Sequence, residues 1–375
     1  MSSDKQAELI SSIKKSGPLQ GLRVIEFAGI GPGPFACMLL SDMGAEVVRI
    51  DRPDANLGNP LDIVGRGRKT ILLDLKRQEA VEQVLDLLCH ADALVEGFRP
   101  GVMERLGLGP SEVFARNPAL VYGRMTGWGQ EGPLAQTAGH DINYIALSGA
   151  LAAIGEKDAP PVPPLNLVGD YGGGSLYLVT GMLAALLEVR TSGKGQVVDA
   201  AICDGVLSLM TNNHSHTLRG LYQEKQSSNM LDGGAPYYCA YATADGHSIS
   251  LGAIEPKFFS LMCQKLELPE QLWDAQNDRT RWPSLRRAIA SAVARHTRDE
   301  WCQLLEGTDV CFAPVLTLQE SATHPHIQAR RGFVNVDGVM HTAPAPRFSR
   351  TPSAIKGAAP STATSVAHVL AEWGK

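Results

Sequence analysis

The 375-residue sequence has no Cys-x-x-Cys pair, although it carries seven cysteines. Cys37, Cys89, Cys203, Cys239, Cys263, Cys302 and Cys311 are odd in number and widely scattered. That pattern argues for reduced thiols and against a disulfide framework or a structural zinc site. The chain is also low in charge, at 19% Asp, Glu, Lys and Arg, and what charge it has sums to -5. Such a balance excludes a protein that holds nucleic acid by its phosphates. Apolar residues make up 44%, so disorder is not the default either. Long hydrophobic runs are missing: the most apolar stretch, Leu176 to Val189, is too short for a membrane span and reads as a buried helix. Met1 to Ser16 is polar and lacks the apolar core of a signal peptide, and the last residues, Glu372 to Lys375, lack a peroxisomal tripeptide. A soluble protein of the cytoplasm, with no membrane and no nucleic acid among its partners, is therefore the expectation.

What is present is an alternation of strand and helix signals over the first 130 residues. Leu22 to Ala28, Glu46 to Asp51, Thr70 to Leu75, Ala93 to Gly97 and Leu120 to Tyr122 read as strands. Helices are expected at Phe35 to Met43 and Gln78 to Cys89, then from Asp141 to Ala153 and from Gly174 onward. Strands alternating with helices imply an α/β fold with a largely parallel sheet, whose ligands sit at the C-terminal strand ends. After Thr211 the texture changes: Tyr237 to Thr243 and His247 to Gly252 flank Ala-Asp-Gly, a hairpin signal. The expected division is a large Rossmann-like α/β domain over 1–210, to which 325–375 return, and linker helices with a smaller α+β domain over 211–324.

Four segments could carry chemistry. Gly31-Pro-Gly-Pro-Phe-Ala36 follows a strand and opens a helix, with Asp51 twenty residues on, like a dinucleotide fingerprint. Pro32 and Pro34 have no N–H to offer a pyrophosphate, so a tight strand-to-helix turn is the better reading. A basic cluster of Arg49, Arg52, Arg66, Arg68, Lys69, Lys76, Arg77, Arg99 and Arg105 is either a solvated face or a grip for a ligand with several phosphates. His140, just ahead of a helix in Ala138-Gly-His-Asp-Ile-Asn-Tyr144, has the side chain best suited to general base work near neutral pH. Its neighbour Asp141 could equally be a cap. Asp170 stands before three glycines at an apparent helix start, and Glu255 follows a strand in Gly252-Ala-Ile-Glu-Pro256; capping is the plain alternative for both. His214-Ser-His216 and His324-Pro-His326 lack a third group at metal-ligand spacing, so no metal is expected.

Taken together, these segments resemble one family: the α-methylacyl-CoA racemases, within the family III CoA-transferases. The resemblance runs from about Gly17 to Arg350, and its most specific stretches are residues 138–144, Pro-Leu-Asn-Leu-Val (164–168), Gly-Lys-Gly-Gln-Val (193–197), Asn-Met-Leu-Asp-Gly-Gly-Ala-Pro (229–236) and 252–256. It implies a racemase of lipid and fatty acid metabolism acting on 2-methyl-branched acyl-CoA thioesters, bile-acid precursors or arylpropionates. His140 and Asp170 would be the proton-transfer groups, Glu255 would orient His140, and Asn166 would support Asp170. Coenzyme A would be held at Arg52, at Leu73, Asp74, Leu75 and Lys76, at Gly97, Phe98 and Arg99, at Arg105, and at Gly139, Asp141, Ile142, Asn143 and Tyr144. Coenzyme A is part of the substrate, so no separate cofactor is implied. The implied assembly is an interlocked homodimer, with Glu255 acting across the interface. In the related CoA-transferases the position of Asp141 carries a covalent carboxylate and no histidine precedes it, so His140 discriminates between the two activities.

Overall fold

Apolar, β-branched segments bounded by glycine and proline become the strands of one sheet in the computed structural model, which describes residues 17–374. Residues 1–16 and 375, including the polar segment read above, lie outside the described residues. The strands are β1 (Arg23–Phe27), β2 (Glu46–Asp51), β3 (Arg68–Leu72), β4 (Ala93–Glu96), β5 (Val121–Thr126) and β6 (Val197–Ala201). They are all parallel, in the order β3-β2-β1-β4-β5-β6. The order reverses between β1 and β4, which opens a crevice beyond their C-terminal ends. Helix α1 (Pro32–Asp42) starts directly after β1, and α2 (Gln78–Leu88) buries Val81, Val84, Leu85 and Leu88 at helical spacing.

Packing divides the chain into two units. The first holds 17–148, 164–210 and 326–374, including the six-stranded sheet; the second holds 149–163 and 211–325. The segment 149–163, which the sequence reading left in the first domain, groups with the second. There Gln226 and Ser227 donate to the carbonyls of Ile154 and Gly155 at 3.2 and 3.1 Å. In the second unit, β7 (Tyr238–Ala242) and β8 (Ser248–Gly252) form the expected hairpin, and β9 (Phe312–Pro314) adds a third antiparallel strand. Tyr237, Phe259, Trp282 and Trp301 fill its core.

Some elements differ from the sequence reading. The helix expected over 141–153 ends at Leu147, because Gly149 adopts a φ of 82° and turns the chain. The expected strand end at Leu75 retreats to Leu72, so Leu73 to Lys76 leave the sheet. The loop before Gly174 is a π-helix, Leu167–Ser175, running into a helix over Leu176–Ser192. The combined helical segment, Leu167–Ser192, spans 26 residues and is long and apolar enough to cross a membrane by length and composition. Here it covers the sheet: Leu178 and Met182 lie against Gly123 of β5, 3.1 and 3.0 Å from where a Cβ would stand.

Candidate active site

The site is built where the strand order reverses. Gly31 caps α1 with φ 71°, a conformation that glycine adopts without penalty. Pro32 then occupies the first turn, where its missing N–H leaves nothing unsatisfied. A Cβ at Gly31 would stand 3.1 Å from Oδ2 of Asp170, so this turn packs directly against a carboxylate rather than cradling a pyrophosphate. Ser175 Oγ donates to the carbonyl of Pro32 at 2.7 Å and to that of Asp170 at 3.0 Å, tying the π-helix to the turn after β1.

His140 sits at the cap of α3 (Asp141–Leu147), with extended φ and ψ of -134° and 174°. Its backbone N–H donates to Asn143 Oδ1 at 3.0 Å, which fixes the entry of the chain into the helix. Asp141, the next residue, reaches back to the π-helix: its Oδ1 accepts the N–H of Asp170 at 2.6 Å. A Cβ at Gly169 would lie 2.2 Å from that oxygen, so only glycine leaves room for the contact. One carboxylate thus connects the residue beside the histidine to the backbone of the second candidate group.

Asp170 also receives a hydrogen bond from Asn166 Nδ2 at 3.4 Å. Burial raises its carboxyl above the usual range and the charge of Asp141 adds to this, while Asn166 and His140 act the other way. Asp141 is raised by burial too, opposed by the N–H groups of Asp170 and Gly169. Its other oxygen, Oδ2, is buried with no hydrogen-bond partner among the described residues.

His140 and Asp170 line one cavity of about 670 Å³, together with Gly31, Gly97, Phe98, Arg99, Gly139 and Tyr144. A second cavity of about 870 Å³ is lined by Arg49, Arg52 and Leu73 to Lys76. Phe27 to Ile30 and Phe98 line both, so the two cavities adjoin at the end of β1. Not every candidate gathers there: Arg105, Asp141, Ile142, Asn143 and Asn166 line neither cavity, and Glu255 belongs to the second unit.

The basic cluster divides. Arg66 is buried on Asp42 at 2.5 Å and Arg68 on Glu26, so these two are structural ion pairs. Lys69 is held by Glu46 at 2.7 Å and by Glu372. Arg49, held by Asp51, lies at the larger cavity with Arg52 and Lys76, and Arg99 lies at the smaller. Sequence reading missed Gly31 and Gly169 as parts of the site, because their partners lie more than a hundred residues away or are set by the π-helical turn. Among the described residues, no group of three His, Cys, Asp or Glu is placed to hold a metal ion, and all seven cysteines are free.

Comparison with known proteins agrees with this architecture. The chain is 42% identical over 359 residues to the alpha-methylacyl-CoA racemase of Mus musculus, covering 95% of this chain and 93% of that one. It is 41% identical over 338 residues to the protein of that name from Homo sapiens, with 89% and 87% covered. The crystal structure of a CAIB/BAIF family protein from Brucella suis superposes with a TM-score of 0.82 at 25% identity, over 96% of this chain and 100% of the other. Residues 19–364 match CoA-transferase family III, and with a relative of more than 40% identity across most of its length the chain belongs to that family.

Proposed function

We propose that the protein is a racemase that inverts the α-carbon of 2-methyl-branched acyl-CoA thioesters, one of His140 and Asp170 taking the α-proton while the other returns a second proton to the opposite face. The carrying observation is that an imidazole and a carboxyl group line one cavity while Asp141 fixes the spacing of their backbones. Inversion needs a base on one side of the carbon and an acid on the other, and two groups of different type supply both. In one direction neutral His140 takes the proton and protonated Asp170 returns one; in the other, the roles exchange. Burial raises the carboxyl of Asp170, the direction that favours its acid role in this cycle. The N–H of Asp141, at the start of α3, is the donor for the enolate oxygen, a contact of a kind worth about 2.7–4 kcal/mol.

Coenzyme A then runs from the larger cavity, its phosphates on Arg49, Arg52 and Lys76, past Phe98 to the thioester beside His140. The reading includes no separate cofactor, an interlocked homodimer in which Glu255 of one subunit orients His140 of the other, and a cytoplasmic setting. The 2-methyl branch is taken from the similarity to the alpha-methylacyl-CoA racemases of mouse and human.

A CoA-transferase using Asp141 as nucleophile is disfavoured, because one carboxylate oxygen is committed to Asp170 N–H and the other is buried. Two assays test the proposal. H140A and D170A should each bind a 2-methylacyl-CoA within about threefold of wild type yet lose at least about a hundredfold in kcat. Weak effects of both on kcat contradict it, as does transfer of coenzyme A from the donor thioester to a free acid.

A further inference from the structure

Glu96 ends β4 at the point where the strand order reverses, and it is only 3% exposed. A buried carboxyl must be partnered. Its Oε2 accepts the N–H of Phe98 at 2.7 Å, which closes the turn as the chain leaves the strand. Its Oε1 lies 3.5 Å from Nε of Arg124, the residue paired with it on β5. Arg124 also donates to Gln130 Oε1 at 2.7 Å and to Glu104 Oε1 at 2.5 Å. One guanidinium thereby joins the end of β4, the segment after the Gly97–Pro100 turn, and the turn after β5.

Those turns are walls of the cavity that holds His140 and Asp170. Phe98 faces both cavities, as does Phe27, and the two rings meet edge-on at 6.3 Å. They form the sill between the cavities. We infer that Glu96 is a positioning residue that holds Phe98 as this sill, so that it governs binding of ligands that span both cavities. The inference rests on the thioester reading above, because the spanning ligand is coenzyme A. Without the acceptor, the Phe98 N–H is left unsatisfied and the turn relaxes. A ligand confined to the larger cavity meets only the near side of the Phe27 and Phe98 rings and does not pass between the cavities.

Calorimetric titration of the whole chain with coenzyme A, and separately with its adenosine bisphosphate fragment, tests the assignment. In E96A, coenzyme A should bind at least about tenfold more weakly while the fragment stays within about twofold. In E96Q, whose amide oxygen still accepts from Phe98, both ligands should stay within about threefold of wild type. Should E96A fail to fold, E96M keeps the bulk at the end of β4, removes the acceptor for the Phe98 N–H, and should give the same split. Equal weakening of both ligands, no weakening of either, or a loss in E96Q as large as in E96A overturns the assignment, and so does a wild-type chain that does not bind coenzyme A. The split in E96A, together with a wild-type chain that binds coenzyme A but inverts no acyl-CoA, supports the Glu96 assignment and contradicts the racemase reading alone.

Discussion

At the scale of single residues, the site depends on carboxyl groups whose surroundings set their roles. Asp141 is the clearest: it accepts from the backbone of Asp170 and so links the two candidate catalytic groups. D141N keeps an acceptor oxygen and should retain most activity. D141A leaves the Asp170 N–H unpaired and should lower kcat by about a hundredfold, the scale of a misplacement near one ångström, with thioester binding little changed. Steady-state kinetics of the two variants checks this. Glu96 offers a different test. Burial, helped by the charges of Glu104 and Asp199 and opposed by Phe98 N–H and Arg124, raises its carboxyl from 4.5 to about 7. The folded state therefore keeps a proton that the unfolded chain loses above pH 4.5. This contribution is complete below 4.5, is lost as pH rises towards about 7, and is gone above it. Its size is on the order of 3 kcal/mol. Denaturant melts between pH 4.5 and 8 should show the difference between wild type and E96Q changing with pH in that sense. A constant difference contradicts the shift. His140 and Asp170 were singled out through the family resemblance of the stretches around them, since their residue types alone left structural roles such as capping open, and the structure places both on one cavity. The roles of Gly31, Gly169 and the Asp141 carboxylate were not legible in sequence, since each is defined by an atom on a segment that only folding brings near.

At the scale of elements, the π-helix over Leu167–Ser175 is the part of the fold that serves the site most directly. Its glycines permit contact with α4 (Ile202–Leu209), the helix after β6: a Cβ on Gly205 would stand 1.9 Å from the carbonyl oxygen of Gly173. G205A should therefore destabilise the chain by about 3 kcal/mol, the upper range for overpacking, as read from the midpoint of urea unfolding. A midpoint unchanged from wild type would mean that the two backbones can separate without loss. Of the three glycines, Gly173 is the one closed in by the backbone of α4: a Cβ there would stand 2.9 Å from Val206 N and 3.0 Å from the carbonyl oxygen of Ile202. The sequence reading did not find the π-helix, whose wider turn has no composition signal of its own. It also passed over β6, where Asp199 interrupts a short apolar run, and the hairpin Phe333–Val336 with Val339–Thr342, whose Asp337-Gly338 turn was a readable signal. Strands that are buried on both faces, such as β1 and β4, were the easiest to read.

For the whole molecule, the alternating pattern was enough to give a parallel sheet, but not its order, which depends on contacts between strands far apart in sequence. The order matters because its reversal between β1 and β4 creates the crevice where the two cavities adjoin. Two sets of side chains are thus separated along one edge of the sheet: arginine and lysine beyond β2 and β3, histidine and aspartate beyond β1 and β5. The account stands on proton transfer through two different side chains at the second of these places. Its most direct test offers one enantiomer of a 2-methylacyl-CoA to the wild-type chain in deuterated water, with no added cofactor, and follows configuration and isotope at the α-carbon at low conversion. The expected result is inverted product that carries deuterium while the remaining substrate keeps its protium. Inverted product that retains the original proton, or isotope exchange with no inversion, would contradict it.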